Sequence, residues 1–207
     1  TDTTGTISFT GNTTVSTGMG AGANPFGISF TGASNSIAGT TTFSNSGTLT
    51  IGDADTDTTT FADGITHTAG QTDVWGHLLT TDSAMSLGGV VLPEGATSEL
   101  STGSATAGNI SLASISGTGG GAQENIALLA GNGTIGVSGN ITTNIGTLSL
   151  QDGTATGAVT LSGSVTANSV ATFSSAYDIA FNGGGTISTA TTFSNTGLLT
   201  LGNAAGD

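Results

Sequence analysis

Apolar residues recur along the chain as short alternating pairs: Ile7/Phe9, Ile28/Phe30, Leu49/Ile51, Ile110/Leu112, Ile126/Leu128, Ile135/Val137, Leu148/Leu150, Val159/Leu161, Ile179/Phe181 and Leu199/Leu201. A period of two places both members of a pair on one face of an extended strand. Thr and Ser fill the positions between, and Thr is a good strand residue. Gly, Asn and Asp separate the pairs, as at Gly52-Asp53, Asn132-Gly133 and Asn182-Gly183. These are turn residues, so each pair reads as a short strand between tight turns. Nothing in the pattern reads as a helix longer than two turns.

The spacing of the pairs adds an architecture. Ile7, Ile28 and Leu49 are 21 residues apart, and Ile179 and Leu199 are 20 apart. Strands recurring at about 20 residues without crossover helices predict a solenoid. The expected fold is all-β, a parallel β-helix of ten coils, which at about 4.8 Å per coil makes a rod roughly 50 Å long.

A longer repeat overlies the short one. Thr42-Phe43-Ser44-Asn45-Ser46-Gly47-Thr48-Leu49-Thr50-Ile51-Gly52 returns as Thr192-Phe193-Ser194-Asn195-Thr196-Gly197-Leu198-Leu199-Thr200-Leu201-Gly202, an offset of 150. Ile37 matches Ile187 at the same offset, and Phe30 matches Phe181 at 151. The domain expectation is therefore one solenoid over 1–207, with 1–57 matching 151–207, as in a window on a tandem array. A less regular excursion is expected at about 58–105. The strand pattern weakens there, around His67, Trp75, His77, Pro93, Glu94 and Glu99.

Composition narrows the function classes. The 207 residues contain no Lys, Arg or Cys, and 13 acids give a formal charge of −13. Phosphate binding draws on Lys and Arg for counterion release, so no nucleic-acid partner is expected. A polybasic lipid contact is excluded on the same ground. No apolar run reaches the roughly 18 residues of a membrane span, so no membrane insertion of this segment is expected. There is neither a disulfide framework nor a Cys metal site. Charged residues are only 6% of the chain, and mean hydropathy is +0.20, which with the strand pattern argues for a folded chain.

Four clusters carry candidate chemistry. Asp53, Asp55 and Asp57, followed by Asp63, present carboxylates at alternate loop positions, which suits calcium and its six to eight oxygens. The EF-hand pattern fails, because position six is Thr58 and position twelve is Gly64. In the second copy the Asp53, Asp55 and Asp57 positions hold Asn203, Ala205 and Asp207. A solvated acidic turn is the competing reading. His67 and His77, with Asp73 and Trp75 between them, offer a metal or carbohydrate site, although ten residues between histidines is not a zinc spacing. Unrelated turn residues and a packed Trp are the alternative. Gly131-Asn132-Gly133-Thr134-Ile135-Gly136 matches a dinucleotide fingerprint, but the next residues read as strand where that site needs a helix. Asn12, Asn109, Asn132 and Asn140 head Asn-x-Ser/Thr triplets.

The Gly/Thr/Asn segments 42–52, 108–117 and 139–143 resemble the β-helical repeat regions of bacterial surface proteins. These include autotransporter passengers, filamentous-haemagglutinin-like adhesins and rickettsial-type surface-layer proteins. The resemblance implies a right-handed coil, export to the cell surface, and a structural or adhesive role. It carries over no functional residue.

Together these readings favour a structural, non-enzymatic extracellular β-helix, a repeat unit of a surface adhesin, surface layer or filament that stacks end to end with its own copies. The alternative is a glycan- or host-binding adhesin module with residues 60–100 as the contact. The third reading is a polysaccharide hydrolase. It would need two acids at a set separation, drawn from Asp53, Asp63, Asp73, Glu94 and Glu99.

Overall fold

The computed structural model describes residues 4–104, 108–151 and 154–204. It is an all-β solenoid of about nine turns, with about 22 residues per turn. Among the described residues there are twenty-four strands and no helix. Every strand pair is parallel and joins one turn to the next. At about 4.8 Å per turn the rod is roughly 40 Å long.

Each turn visits three faces. The first face stacks Ile7, Ile28, Leu49, Thr72, Val90, Ile115, Ile141, Val165 and Gly185 in register. The second stacks Asn35, Thr59, Leu78, Leu100, Leu128, Leu150 and Thr172. The third stacks Thr41, Ile65, Met85, Ile110, Ile135, Val159, Ile179 and Leu199. Two eight-residue strands, Met85–Leu92 and Ile110–Gly117, run unbroken from the third face to the first. At Leu87-Gly88 two consecutive residues turn inward, which shifts the alternation by one and carries the strand round the corner.

All ten apolar pairs are strand residues. They are distributed over the three faces, so the period of 20 to 21 seen in sequence is one part of a more variable spacing. In-register neighbours on the first face are 18 residues apart from Thr72 to Val90 and 26 apart from Ile115 to Ile141. The turn length averages 22, giving nine turns in place of the ten expected.

Residues 58–104 are as regular as the rest of the described chain. They form the strands Thr58–Phe61, Ile65–His67, Thr72–Val74, His77–Leu79, Met85–Leu92 and Thr97–Ser101, all paired to the turns on either side. The pattern fades there because polar residues take inward places. Thr59, His67, Thr72, Thr80 and Ser98 are all buried. Apart from Leu87-Gly88, these strands still bury alternate positions, but the alternation is no longer between apolar and polar types.

The core is built of side chains that meet coil to coil. Phe9 and Phe30 stack at 4.8 Å with 8° between planes, and Phe61 meets Phe30 edge-on at 6.0 Å. Tyr177 is fully buried, and its hydroxyl donates to Leu150 O at 3.0 Å, which satisfies its polar end.

The two copies of the 150-residue repeat lie on different faces. Leu49 belongs to the first face, whereas Leu199 belongs to the third. Both copies nevertheless build the same corner. Asn45 Nδ2 donates to Phe26 O at 3.0 Å and Gly47 O at 3.2 Å. Asn195 Nδ2 donates to Tyr177 O at 3.1 Å and Gly197 O at 3.5 Å. A Cβ on either Gly47 or Gly197 would lie 2.3 Å from the carbonyl oxygen of the preceding turn. The repeated sequence therefore encodes a corner that works at more than one vertex of the triangular section.

Glycine is required where turns touch backbone to backbone. A Cβ at Gly157 would lie 1.6 Å from Gly133 O, whereas one at Gly136 would meet nothing within 4 Å. Gly157→Ala is expected to destabilise the fold by about 3 kcal/mol through overpacking. Gly136→Ala should be neutral, or stabilising by about 0.5 kcal/mol. Urea unfolding of the two variants beside the parent checks this; equal losses would refute the steric account.

Candidate functional site

The candidate residues divide among separate places. The turn from the first face to the second, in successive coils, carries Asp53, Asp55, Asp57, Trp75 and Glu94. Asp63 lies in the turn from the second face to the third. His67 ends a third-face strand, and His77 begins a second-face strand.

The aspartate carboxylates are engaged mostly with the protein itself. Asp57 is buried, and its Oδ2 accepts the backbone N–H groups of Asp53 at 2.9 Å and Ala54 at 3.1 Å. This closes the turn that leads into the second face. A hydrogen bond to the Asp57 carboxyl, with lesser effects from desolvation and the neighbouring charge, raises the pKa of Asp53 above its ordinary value. Asp55 Oδ1 accepts Trp75 Nε1–H at 2.6 Å from the next turn and Thr97 N–H at 2.8 Å from the turn after that. One carboxylate thus ties three successive coils at one corner. Asp63 is exposed. Among the described residues, no three His, Asp or Glu side chains are grouped to hold a metal ion.

The two histidines do not share a site. His67 is fully buried, with Nδ1 at 2.9 Å from Thr72 Oγ1 and Nε2 at 3.2 Å from Asn45 O. It fills the corner one turn above Asn45. Burial lowers its pKa, a shift opposed by the carbonyls of Asn45 and Gly47. His77 is part-exposed and faces Glu99 across the second-face ladder, with Nδ1 and Oε2 3.7 Å apart.

The remaining acids are also dispersed. Glu94 Oε1 accepts from the backbone N–H groups of Gly121 and Ala122 in the next coil at 2.9 and 3.4 Å. Asp73 points outward from the first face beside Thr50, and burial raises its pKa while a hydrogen bond from Gln71 opposes the rise. The residues Gly131–Gly136 enter a strand of the third face, Ile135–Val137, and no helix follows. Of the second-copy positions matching the aspartates, Asn203 is described, while Ala205 and Asp207 lie outside the described residues.

The four Asn-x-Ser/Thr triplets have a structural role that their sequence alone did not reveal. Asn12, Asn109 and Asn140 each accept, through Oδ1, a backbone N–H of the following turn, from Ser34 at 3.0 Å, Thr134 at 2.9 Å and Ser164 at 3.0 Å. Asn132 Oδ1 accepts from the Thr156 hydroxyl at 2.7 Å. Asn125 and Asp178 do the same for Thr147 N–H at 2.9 Å and Leu198 N–H at 2.7 Å. At corners, and at the register shift beside Asn125, the ladder has no carbonyl in position, and a side-chain oxygen takes its place. The only sequence signal is Asn or Asp in a turn about one coil before another turn.

These features define a parallel β-solenoid whose polar side chains mainly stitch one coil to the next. The sequence matches no family model, and neither a curated protein nor a solved structure matches it.

His67 gives the rod a pH dependence of known sign. Its folded pKa lies below the ordinary 6.5, so the unfolded chain binds the proton first as pH falls. Its contribution is full above 6.5 and declines on acidification, with a limiting slope of about 1.4 kcal/mol per pH unit. Asp53 and Asp73, with raised values, act in the opposite sense as pH falls through their folded pKa values. Urea midpoints between pH 7.5 and 5.5 should fall for the parent and fall less for His67→Asn. Parallel slopes would refute the assignment to His67.

Proposed function

We propose that this chain is a structural segment of an extracellular or cell-surface rod that extends by stacking end to end with its own copies. The observation that carries the proposal is a parallel strand ladder and a core that run in register through every described coil, the geometry by which one such coil receives the next. In the first turn Ile7 is 43% exposed, and a cavity of about 230 Å³ is lined by Ile7, Phe9, Met19, Phe26 and Phe43 among others. At the other end Leu198 and Leu201 are 65% and 69% exposed. The cavity there, about 310 Å³, is lined by Phe181, Ile187, Phe193 and Leu201 among others. Between these ends the same kinds of residue are buried by the turn above and the turn below. A further coil, of the same chain or of a second copy placed head to tail, would cover these residues and pair with the parallel strand edge of the outermost described coil.

Charge supports a role in which contact is confined to the ends. With 13 acids and no Lys or Arg, the sides of two rods repel each other. The repulsion weakens as the Debye length falls from about 30 Å at 0.01 M salt to about 8 Å at 0.15 M. The location outside the cell rests on the resemblance to surface-protein repeats and on the chain's lack of basic residues.

Light scattering on a size-exclusion column, with electron microscopy of the same fractions, tests the reading. The parent is expected to give rods longer than one molecule, more of them at higher protein and salt concentration. The double variant Leu198→Glu, Leu201→Glu is expected to run as a 19.7 kDa monomer. A monomeric parent at every concentration and ionic strength would reject end-to-end stacking.

A further inference from the structure

We infer that Gln71, Asp73 and Trp75 form a binding subsite for an uncharged polysaccharide on the first face of the rod. Gln71 and Trp75 flank the strand Thr72–Val74 on either side, and with Thr72 and Val74 buried, Gln71, Asp73 and Trp75 fall at alternate, outward positions where the first face runs into the turn. The ladder continues through Trp75, whose N–H donates to Ile51 O at 2.8 Å. At about 3.3 Å per residue the strip is roughly 13 Å long, enough for a few pyranose rings.

The strip differs from its surroundings in both size and chemistry. Asp73 lies between Thr50 in the turn before and Val91 in the turn after. Farther along the same outward column are Ser29 and Ser116. The first face is thus a low surface of small side chains crossed by a single ridge that ends in the chain's only tryptophan.

Two hydrogen bonds pre-arrange the ridge. Asp55 Oδ1 accepts Trp75 Nε1–H at 2.6 Å and is itself fixed by Thr97 N–H, so the half-exposed indole is held in one orientation. Gln71 Nε2 donates to Asp73 Oδ1, which orients the amide and the carboxyl relative to each other. Their remaining atoms offer a carboxyl oxygen, an amide oxygen and an amide N–H side by side. An apolar ring face beside such a set suits a pyranose, which presents C–H groups on its faces and hydroxyls at its rim. Fixing the groups beforehand lowers the cost of ordering them on binding. A net charge of −13 disfavours an anionic chain, so an uncharged glycan is favoured over an acidic one. His67 and His77 are not part of the subsite, since the first is buried and the second lies on another face.

Because Trp75 is the only tryptophan, emission of the full chain reports on this position alone. Titration with laminarin, dextran and mannan as uncharged probes, and alginate as the anionic one, is expected to give a saturable emission change with at least one uncharged probe and none with alginate. Gln71→Ala should weaken that titration at least threefold. In native gels containing the same polysaccharide, Trp75→Ala should lose retardation at least tenfold, while Trp75→Phe retains most of it. Circular dichroism shows whether Trp75→Ala is folded; if it is not, the Gln71→Ala titration decides. The inference is overturned if no uncharged probe changes the emission, if alginate binds as well, or if folded Trp75→Ala or Gln71→Ala binds like the parent.

Discussion

The axial hydrogen-bond ladder is the constraint on which the rest of the molecule depends. Each coil must lie within one strand spacing, about 4.8 Å, of the coil before it. Side chains that enter the core must pack against those of the coils directly above and below. The stacked rings of Phe9 and Phe30, 4.8 Å apart, show the ladder spacing directly in the core. The corners obey the same limit more severely, because backbone meets backbone there. A Cβ at Gly32, Gly47, Gly133, Gly157, Gly163, Gly183 or Gly197 would lie within 2.4 Å of an atom of the preceding coil. The abundance of glycine is a consequence of stacking, not a sign of a loose chain.

Polar residues answer the same constraint differently. Where the strand ladder stops, backbone donors would be left without partners, at a cost comparable to a lost hydrogen bond. Asn12, Asn109, Asn125, Asn140 and Asp178 supply acceptors to the next coil. Asn35 links both neighbouring coils within the core: its Oδ1 accepts Thr13 N–H of the preceding coil, while its Nδ2 donates to Gly32 O and to Thr59 Oγ1 of the following one. Asp55 extends the device across three coils and holds Trp75 at the same time. Thus the feature that orients the candidate binding ridge is also one that secures the corner beneath it. A rod of this kind places a side chain at an outer position without disturbing the core, because outward and inward residues alternate along most of each strand.

The sequence showed some levels clearly and others poorly. Ile110/Leu112, Val159/Leu161 and the other apolar pairs were legible as strands because one face of each is buried. The register of Ile7, Ile28 and Leu49 was legible because the two successive coils that join them have the same length. The stretch 58–105 was not legible, because Thr59, His67 and Thr72 hold inward places and erase the apolar–polar contrast. The grouping of His67 with His77 was not legible either. Ten residues are nearly half a coil, so proximity along the chain carried one of them to another face.

Local chemistry was thus determined by the sequence alone: all-β character, turn positions, absence of positive charge and a repeat near 20 residues. Each follows from the side-chain types over a handful of neighbours. The tertiary structure decided which face each strand joins. Leu49 and Leu199 sit in nearly identical sequences yet belong to the first and third faces. Face assignment depends on the sum of all intervening coil lengths, which vary from one coil to the next. No local pattern encodes that sum, and stacking fixes it only when every coil is in place.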